Sequence, residues 1–378
     1  MSLFFFTVFL VYGGMHLYAF LRARIALGFG AVPSFALTGF MVLMTLAPFL
    51  IRLFEQHEFQ LAARVLSYIA YIWMAVLFLF FCGSLALDVL SLVIRFAGWV
   101  GGKSASPYLL SVRLAFFIPA GLALVICVYG YFDALNIRTE RLRIETTKLP
   151  PTINRLTIVQ ISDVHLGLIV RNSRLKTVMD IVKAEKPDIF LSTGDLVDAQ
   201  INDLRGMAEL LREVKAPYGN YAITGNHEYY AGIEDALAFT RQAGFTILRG
   251  QAITAGPINI AGVDDPTGLQ LKVDRPEPIT TLLAKLPRDR FTLFLRHRPD
   301  VDHTAGLFDL QLSGHTHKGQ IYPFTYVSKI AYPLNAGRFD LPGGSILYVS
   351  RGTGTWGPPI RFLSPPQVTV IELIRKGA

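Results

Sequence analysis

The stretch Leu156-Thr157-Ile158-Val159-Gln160-Ile161-Ser162-Asp163-Val164-His165 decides the fold. Its first six residues are mostly apolar and β-branched, the composition of a buried strand. Its end turns polar and carries Asp-x-His. The same grammar recurs downstream. A strand expected over 188–193 runs into Gly194-Asp195-Leu196-Val197-Asp198, and one over 218–224 into Gly225-Asn226-His227-Glu228. Helical spacing fills 173–185, 202–214 and 232–243. After that short strands dominate, over 245–248, 257–262, 291–296, 309–313, 320–326, 345–350 and 367–373. The strand over 291–296 runs into His297, and the one over 309–313 into Gly314-His315-Thr316-His317. Strands alternating with helices and followed by a run of strands predict a layered α/β domain with two packed sheets.

Residues 133–155 read as an exit strand and a linker, closed by Pro150-Pro151. Ahead of them the composition changes. The chain of 378 residues is 52% hydrophobic and 17% charged, and residues 1–132 hold 10 of its 64 Asp, Glu, Lys and Arg residues. That excludes a disordered chain and argues against a wholly soluble one. Four stretches, 2–21, 25–51, 65–87 and 114–132, carry none of these charges. A spanning helix needs about 20 apolar residues, so four membrane spans are expected. The first lacks the basic start of a cleavable signal and reads as a retained helix. An even number of spans puts both ends on one side. Arg52, Arg64, Arg138, Arg141, Arg143 and Lys148 on that side, against Arg22, Arg24, Arg95 and Lys103, lean toward a cytoplasmic C-terminal domain. His16 and Asp88 form no acid–base ladder across the spans, which argues against transport.

The net charge of +8 is scattered. It suits a membrane surface or anionic substrates, and no nucleic-acid partner is expected. Cys82 and Cys127 make neither a metal spacing nor a disulfide framework. Oligomeric state is not legible.

The chemistry sits where the predicted strands end, the edge at which α/β proteins build sites. Asp and His suit borderline divalent ions such as Zn, Mn and Fe. Five of the eight histidines fall in the five motifs. Asp-x-His and His-x-His spacing puts alternate side chains on one side of an extended segment. The glycines before Asp195, Asn226 and His315 suit tight turns and close backbone approach. Gly352-Thr353-Gly354-Thr355-Trp356-Gly357 matches a dinucleotide fingerprint, but Pro358-Pro359 follows and no βαβ unit surrounds it.

The order Asp-x-His, Gly-Asp-x-x-Asp, Gly-Asn-His-Glu, His, Gly-His-Thr-His resembles the calcineurin-like metallophosphoesterase superfamily over about residues 155–375. Gly225-Asn226-His227-Glu228-Tyr229-Tyr230, His297-Arg298-Pro299-Asp300 and Ser350-Arg351-Gly352-Thr353-Gly354 resemble its membrane-attached bacterial branch. The resemblance implies a four-layer α/β/β/α sandwich over 156–378 and two divalent metal ions. It implies that Asp163, His165 and His317 hold the first ion, that Asn226, His297 and His315 hold the second, and that Asp195 bridges them. It implies that His227 faces the phosphate and the leaving group as the catalytic side chain. Lys318 departs from the branch, which has glycine there, and this bears on substrate contacts.

Two such ions can hold a bridging hydroxide at neutral pH, and the expected reaction is phosphoester hydrolysis by it. Asp198 is a candidate to orient a histidine. Arg298 and Arg351 are candidates for binding phosphate oxygens; Arg296 is a softer one. Trp356 and Phe362 are candidates for a lipid-facing rim. The resemblance, together with the apolar N-terminal part, implies an enzyme of a bacterial inner membrane acting on a phosphoester that is lipid-linked, such as a nucleotide-sugar-lipid pyrophosphate. A phosphodiesterase or monoesterase on soluble nucleotides and a non-catalytic metal-binding membrane sensor stand as alternatives.

Overall fold

The computed structural model describes residues 2–199, 201, 204–273 and 278–377. They divide into a helical unit, Met1–Phe132 with Pro358–Ile360, and a globular unit, Asp133–Gly357 with Arg361–Ala378.

The helical unit is built from α1 (Ser2–Leu27), α2 (Ala31–Gln56), α3 (Gln60–Val100) and α4 (Val112–Leu135). Three segments among the described residues, Ala31–Gln56, Gln60–Val100 and Ser106–Leu135, are long and apolar enough to cross a membrane. The stretches expected over 25–51, 65–87 and 114–132 fall largely within them. At about 1.5 Å per residue, α3 with its 41 residues reaches roughly 60 Å, twice the hydrocarbon thickness of about 30 Å. Its ends therefore extend beyond any bilayer core. Some polar side chains of these helices pair with each other. Arg22 Nη1 lies 3.0 Å from Asp88 Oδ1, Tyr18 donates to Asp88 Oδ2 at 2.5 Å, and Trp73 donates to His16 Nε2 at 2.9 Å.

Among the described residues the globular unit has twelve strands: β1 (Arg138–Thr146), β2 (Arg155–Ile161), β3 (Ile189–Ser192), β4 (Asn220–Ala222), β5 (Thr246–Ile247), β6 (Gln251–Ala255), β7 (Ile258–Gly262), β8 (Thr292–Leu295), β9 (Leu310–Ser313), β10 (Gly337–Asp340), β11 (Ile346–Val349) and β12 (Gln367–Arg375). They form two six-stranded mixed sheets, ordered β1-β12-β2-β3-β4-β5 and β10-β11-β9-β8-β7-β6. Its helices are α5 (Asn172–Ala184), α6 (Met207–Arg212), α7 (Asn226–Ala231), α8 (Ile233–Gln242), α9 (Thr267–Gln270), α10 (Ile279–Ala284) and α11 (Phe324–Ala331).

Period-two alternation divides the cores. On β2, Val159 and Ile161 join Leu175, Met179, Leu211 and Ala236 of α5, α6 and α8. The intervening Leu156 and Ile158 join Ile258, Ile260, Leu293 and Leu310 of the second sheet. A third core sets Ala261 and Phe294 against Leu282 and Leu283 of α10.

The exit strand expected within 133–155 is β1, which pairs in parallel with β12 along its whole length, Arg138 with Gln367 through Thr146 with Arg375. Its alternation buries Leu142 and Ile144 in the core between the sheets. The expected strand over 320–326 is absent. Lys318, Gly319 and Gln320 have positive φ and turn the chain, and α11 starts at Phe324 behind Pro323, a residue suited to helix entry. Strands β6 and β10 and helices α7, α9, α10 and α11 were not anticipated. The helix expected over 202–214 is observed as Met207–Arg212, and its first two residues lie outside the described ones.

Candidate metal centre

Every expected ligand follows a strand that belongs to a parallel set. Asp163 and His165 follow β2, Asp195 follows β3, and Asn226 and His227 open α7 after β4. These three strands are mutually parallel. His297 follows β8, and His315 and His317 follow β9, a second parallel pair. The carboxyl edges of both sheets thus contribute to one site.

The backbone there is unusual. Asp163, His165, Asp195, His315 and His317 all have positive φ, between 48° and 70°. Non-glycine residues in that region cost on the order of 1–3 kcal/mol each and persist only where the surroundings impose them. Two glycines let the segments close. A Cβ on Gly225 would collide with the Asp195 carboxylate, and one on Gly314 with Ser162 Oγ and the Asp163 carboxylate.

The side chains converge in overlapping groups. Ligand atoms of Asp163, His165 and His317 lie within 4.8 Å of one another, as do those of Asp195, His297 and His315. A third group, His165, Asp195 and His227, links the two. Asp195 Oδ2 is 3.8 Å from His165 Nε2 and 3.2 Å from His297 Nε2. His165 Nε2 and His317 Nε2 face each other at 3.0 Å, and His315 Nδ1 faces His297 Nε2 at 3.3 Å.

This donor set fits divalent cations. Asn226 Oδ1 and His165 Nδ1 are buried without a hydrogen-bond partner, an expensive state for a polar atom unless something else meets it. Burial lowers the pKa of His165 to about 4 and holds His317 well below its usual range, so both present the neutral imidazole that metals bind. At His297 burial also pulls downward, but Asp195 more than offsets it and pushes the value up to about 10. The carboxylate demands positive charge at that point. Burial pushes Asp163 up to about 6.

His227 is held differently. Its Nδ1 donates to Asp198 Oδ1 at 2.9 Å, and its backbone N–H donates to Asp195 Oδ1 at 2.8 Å. Burial works against its charge, but Asp195, Asp198 and Glu228 outweigh burial and raise its pKa to about 9. Asp198 therefore orients His227, the role for which it was a candidate.

The two arginines expected at the substrate have protein partners. Arg298 makes a paired contact with Asp265, Nε to Oδ2 at 2.8 Å and Nη2 to Oδ1 at 2.9 Å. Arg351 donates to Glu140 Oε1 at 2.5 Å and to the Pro365 carbonyl at 3.0 Å. Arg296 donates to Asp302 at 2.9 Å. Lys318 has φ 53°, so it occupies a backbone position that favours glycine, and its Nζ donates to the Leu363 carbonyl at 3.3 Å.

Two functional residues escaped the sequence reading. Glu228 accepts from the backbone N–H groups of Gly225, Asp195 and Leu196 at 2.7, 3.0 and 2.8 Å, tying two motif loops together. A Glu three residues after the helix N-cap is the capping-box signal that could have found it. Arg361 is fully buried. It donates to His317 Nδ1 at 2.9 Å and to the Gly354 and Arg351 carbonyls. No local pattern around it marks that role.

A fold of two mixed sheets whose carboxyl edges gather Asp, Asn and His is that of a metal-dependent hydrolase. The family model of calcineurin-like phosphoesterases matches residues 156–319. A metallophosphoesterase of Aquifex aeolicus is 37% identical over 259 residues, 68% of this chain and 99% of its own. One of Campylobacter jejuni is 30% identical over 315 residues, 81% of this chain and 83% of its own. A zebrafish (Danio rerio) transmembrane protein with a metallophosphoesterase domain is 32% identical, over 66% of this chain and 60% of its own. The chain belongs to the calcineurin-like metallophosphoesterase family and is a metal-dependent phosphoesterase.

Proposed function

We propose that this protein is a membrane-anchored hydrolase that uses two divalent cations, Mn, Fe or Zn, to cleave a lipid-linked phosphoester. The observation that carries the reading is Asp195, whose carboxylate belongs with His297 and His315 at one end and reaches His165 of the other group. Asp163, His165 and His317 would hold one ion; Asn226, His297 and His315 would hold the other; Asp195 would serve both. When bound, the cations supply Lewis-acid charge to the phosphoryl oxygens and a hydroxide nucleophile at neutral pH.

The chain's own groups do the rest. Asp198 accepts from Nδ1 of His227, and the surrounding carboxylates keep the ring protonated, so that Nε2–H would give its proton to the leaving oxygen as general acid. Thr193 fixes His297 similarly, its carbonyl accepting from Nδ1 at 2.8 Å and leaving Nε2 for a ligand role. Arg298 and Arg351 would need to exchange a carboxylate partner to reach a substrate, so direct binding by either is not part of this proposal.

Three apolar segments support a membrane protein. We read α1 as a fourth span, residues 133–378 as the cytoplasmic catalytic domain, and the compartment as a bacterial inner membrane. The three apolar cores support a four-layer α/β/β/α stacking of that domain. The test uses purified full-length protein stripped of metal and restored with Mn, Fe or Zn separately. Bis-p-nitrophenyl phosphate, p-nitrophenyl phosphate and lipid-linked pyrophosphates are assayed beside it. Metal-dependent turnover that favours the lipid-linked ester is expected. Turnover confined to soluble nucleotides would replace the substrate assignment, and two bound metals without turnover on any ester would replace the enzyme with a sensor.

A further inference from the structure

Helix α11 inverts the usual amphipathic pattern. A surface helix of a soluble domain turns its apolar side inward. In α11 the buried residue is Thr325, whose hydroxyl donates to the Lys318 carbonyl at 2.8 Å. Tyr326, Val327 and Ile330, three and four residues apart, point outward; Ile330 is 84% exposed. Exposed Tyr322 stacks edge-on against Tyr326 with ring centroids 5.6 Å apart.

The patch continues onto the neighbouring segment. The Tyr322 N–H donates to the Phe362 carbonyl at 3.1 Å, next to Leu363, which is exposed with φ 55°. Gln320 is bonded twice to the Trp356 backbone, at 2.8 and 2.9 Å. Trp356 is half exposed, and its ring lies 6.4 Å from that of His227. The apolar surface thus runs from the rim of the metal centre outward. Lys318 and Lys329 stand within it, Lys329 exposed and Lys318 partly so.

We propose that this surface is a bilayer-docking face, on which the globular unit rests against anionic lipid headgroups with the metal centre at its edge. Contiguous exposed apolar surface marks an interaction site. Tyr326 and Lys329 on a short helix with an apolar outer side, with Trp356 on the adjoining segment, is the composition of elements that lie in a membrane interface. The lysines complement anionic headgroups. The chain also carries its own apolar segments long enough to cross a membrane, so a bilayer is present at high effective concentration for every copy. The inference does not depend on which ester is cleaved.

The test uses the full chain in nanodiscs of phosphatidylcholine with anionic phosphatidylglycerol. Cys82 and Cys127 are replaced by serine, and a nitroxide is placed through Ile330→Cys, Leu363→Cys or, as an aqueous reference, Lys176→Cys on α5. Collision rates with oxygen and with a water-soluble nickel chelate are compared. The labels at 330 and 363 are expected to show an oxygen-to-nickel ratio several-fold above that at 176. Water-like ratios at both sites overturn the proposal. Spin–spin broadening that grows with the number of chains per disc also overturns it, assigning the face to a second copy. Metal-dependent hydrolysis of bis-p-nitrophenyl phosphate, measured on the same samples, reports separately on the metal centre. Its absence beside lipid-like labels would count against the functional reading and leave the docking face standing.

Discussion

In the helical unit opposite meets opposite: Arg22 faces Asp88 at 3.0 Å, and the Trp73 N–H meets His16 Nε2 at 2.9 Å. In the globular unit like meets like: ring nitrogens of His165 and His317 face each other at 3.0 Å, and those of His315 and His297 at 3.3 Å. The first arrangement is complete in itself. The second is held by ring protons shared between imidazole nitrogens, and those protons are what a bound cation would replace. A polar group in an apolar setting is therefore informative through its partner. Matched pairs hold helices together, and mismatched clusters are prepared for a ligand.

Substitutions break this contrast in graded ways. Asp195→Asn removes the carboxylate that touches both ligand groups. Turnover should fall by about 10³-fold or more, the scale of losing a central electrostatic element, and metal per chain, counted by elemental analysis, should drop. Full activity with full metal content would mean that Asp195 serves neither ion. His227→Ala should slow turnover by roughly 10²–10⁴ while both metals stay; a loss of metal in that variant would make His227 a ligand. Asp198→Asn should cost about 10–100-fold, as partners of functional histidines do, and kcat should bear the loss while KM holds. On the other side of the comparison, Asp88→Asn leaves Arg22 without its carboxylate. It should destabilise the helical unit by roughly 1 kcal/mol, read as a lower unfolding midpoint in detergent, with hydrolysis of a soluble ester unchanged.

What the sequence disclosed follows the range of each interaction. The motif residues were legible because each sits within a few positions of its own strand end, where a local pattern of apolar run, glycine and ligand is visible. All seven expected ligand positions and His227 lie at strand ends or at the start of the helix that follows. Strand β1 was half legible: its alternation could be read, but its partner is β12, at the far end of the domain. Arg361 was invisible because its contacts, His317 and the Gly354 carbonyl, are tertiary. For Arg298 and Arg351 the sequence shows the charges but not their carboxylate partners, Asp265 and Glu140, which lie far off in the chain. The strand expected over 320–326 failed because four consecutive positive-φ residues, 317–320, redirect the chain at its start, and only glycine among them announces such a turn.

The position of β12 has a consequence for how the molecule is made. It lies between β1 and β2, yet of the twelve strands it leaves the ribosome last. Until it arrives, β1 has no neighbour, and more than two hundred residues separate its residues from their partners. The Gln367 N–H then donates to the Gly352 carbonyl, while Thr353 and Gly354 clasp the Ser162 and Asp163 carbonyls at 2.7 and 2.9 Å. The contacts around Asp163 thus rest on pairing between distant parts of the chain, the kind that is slowest to form.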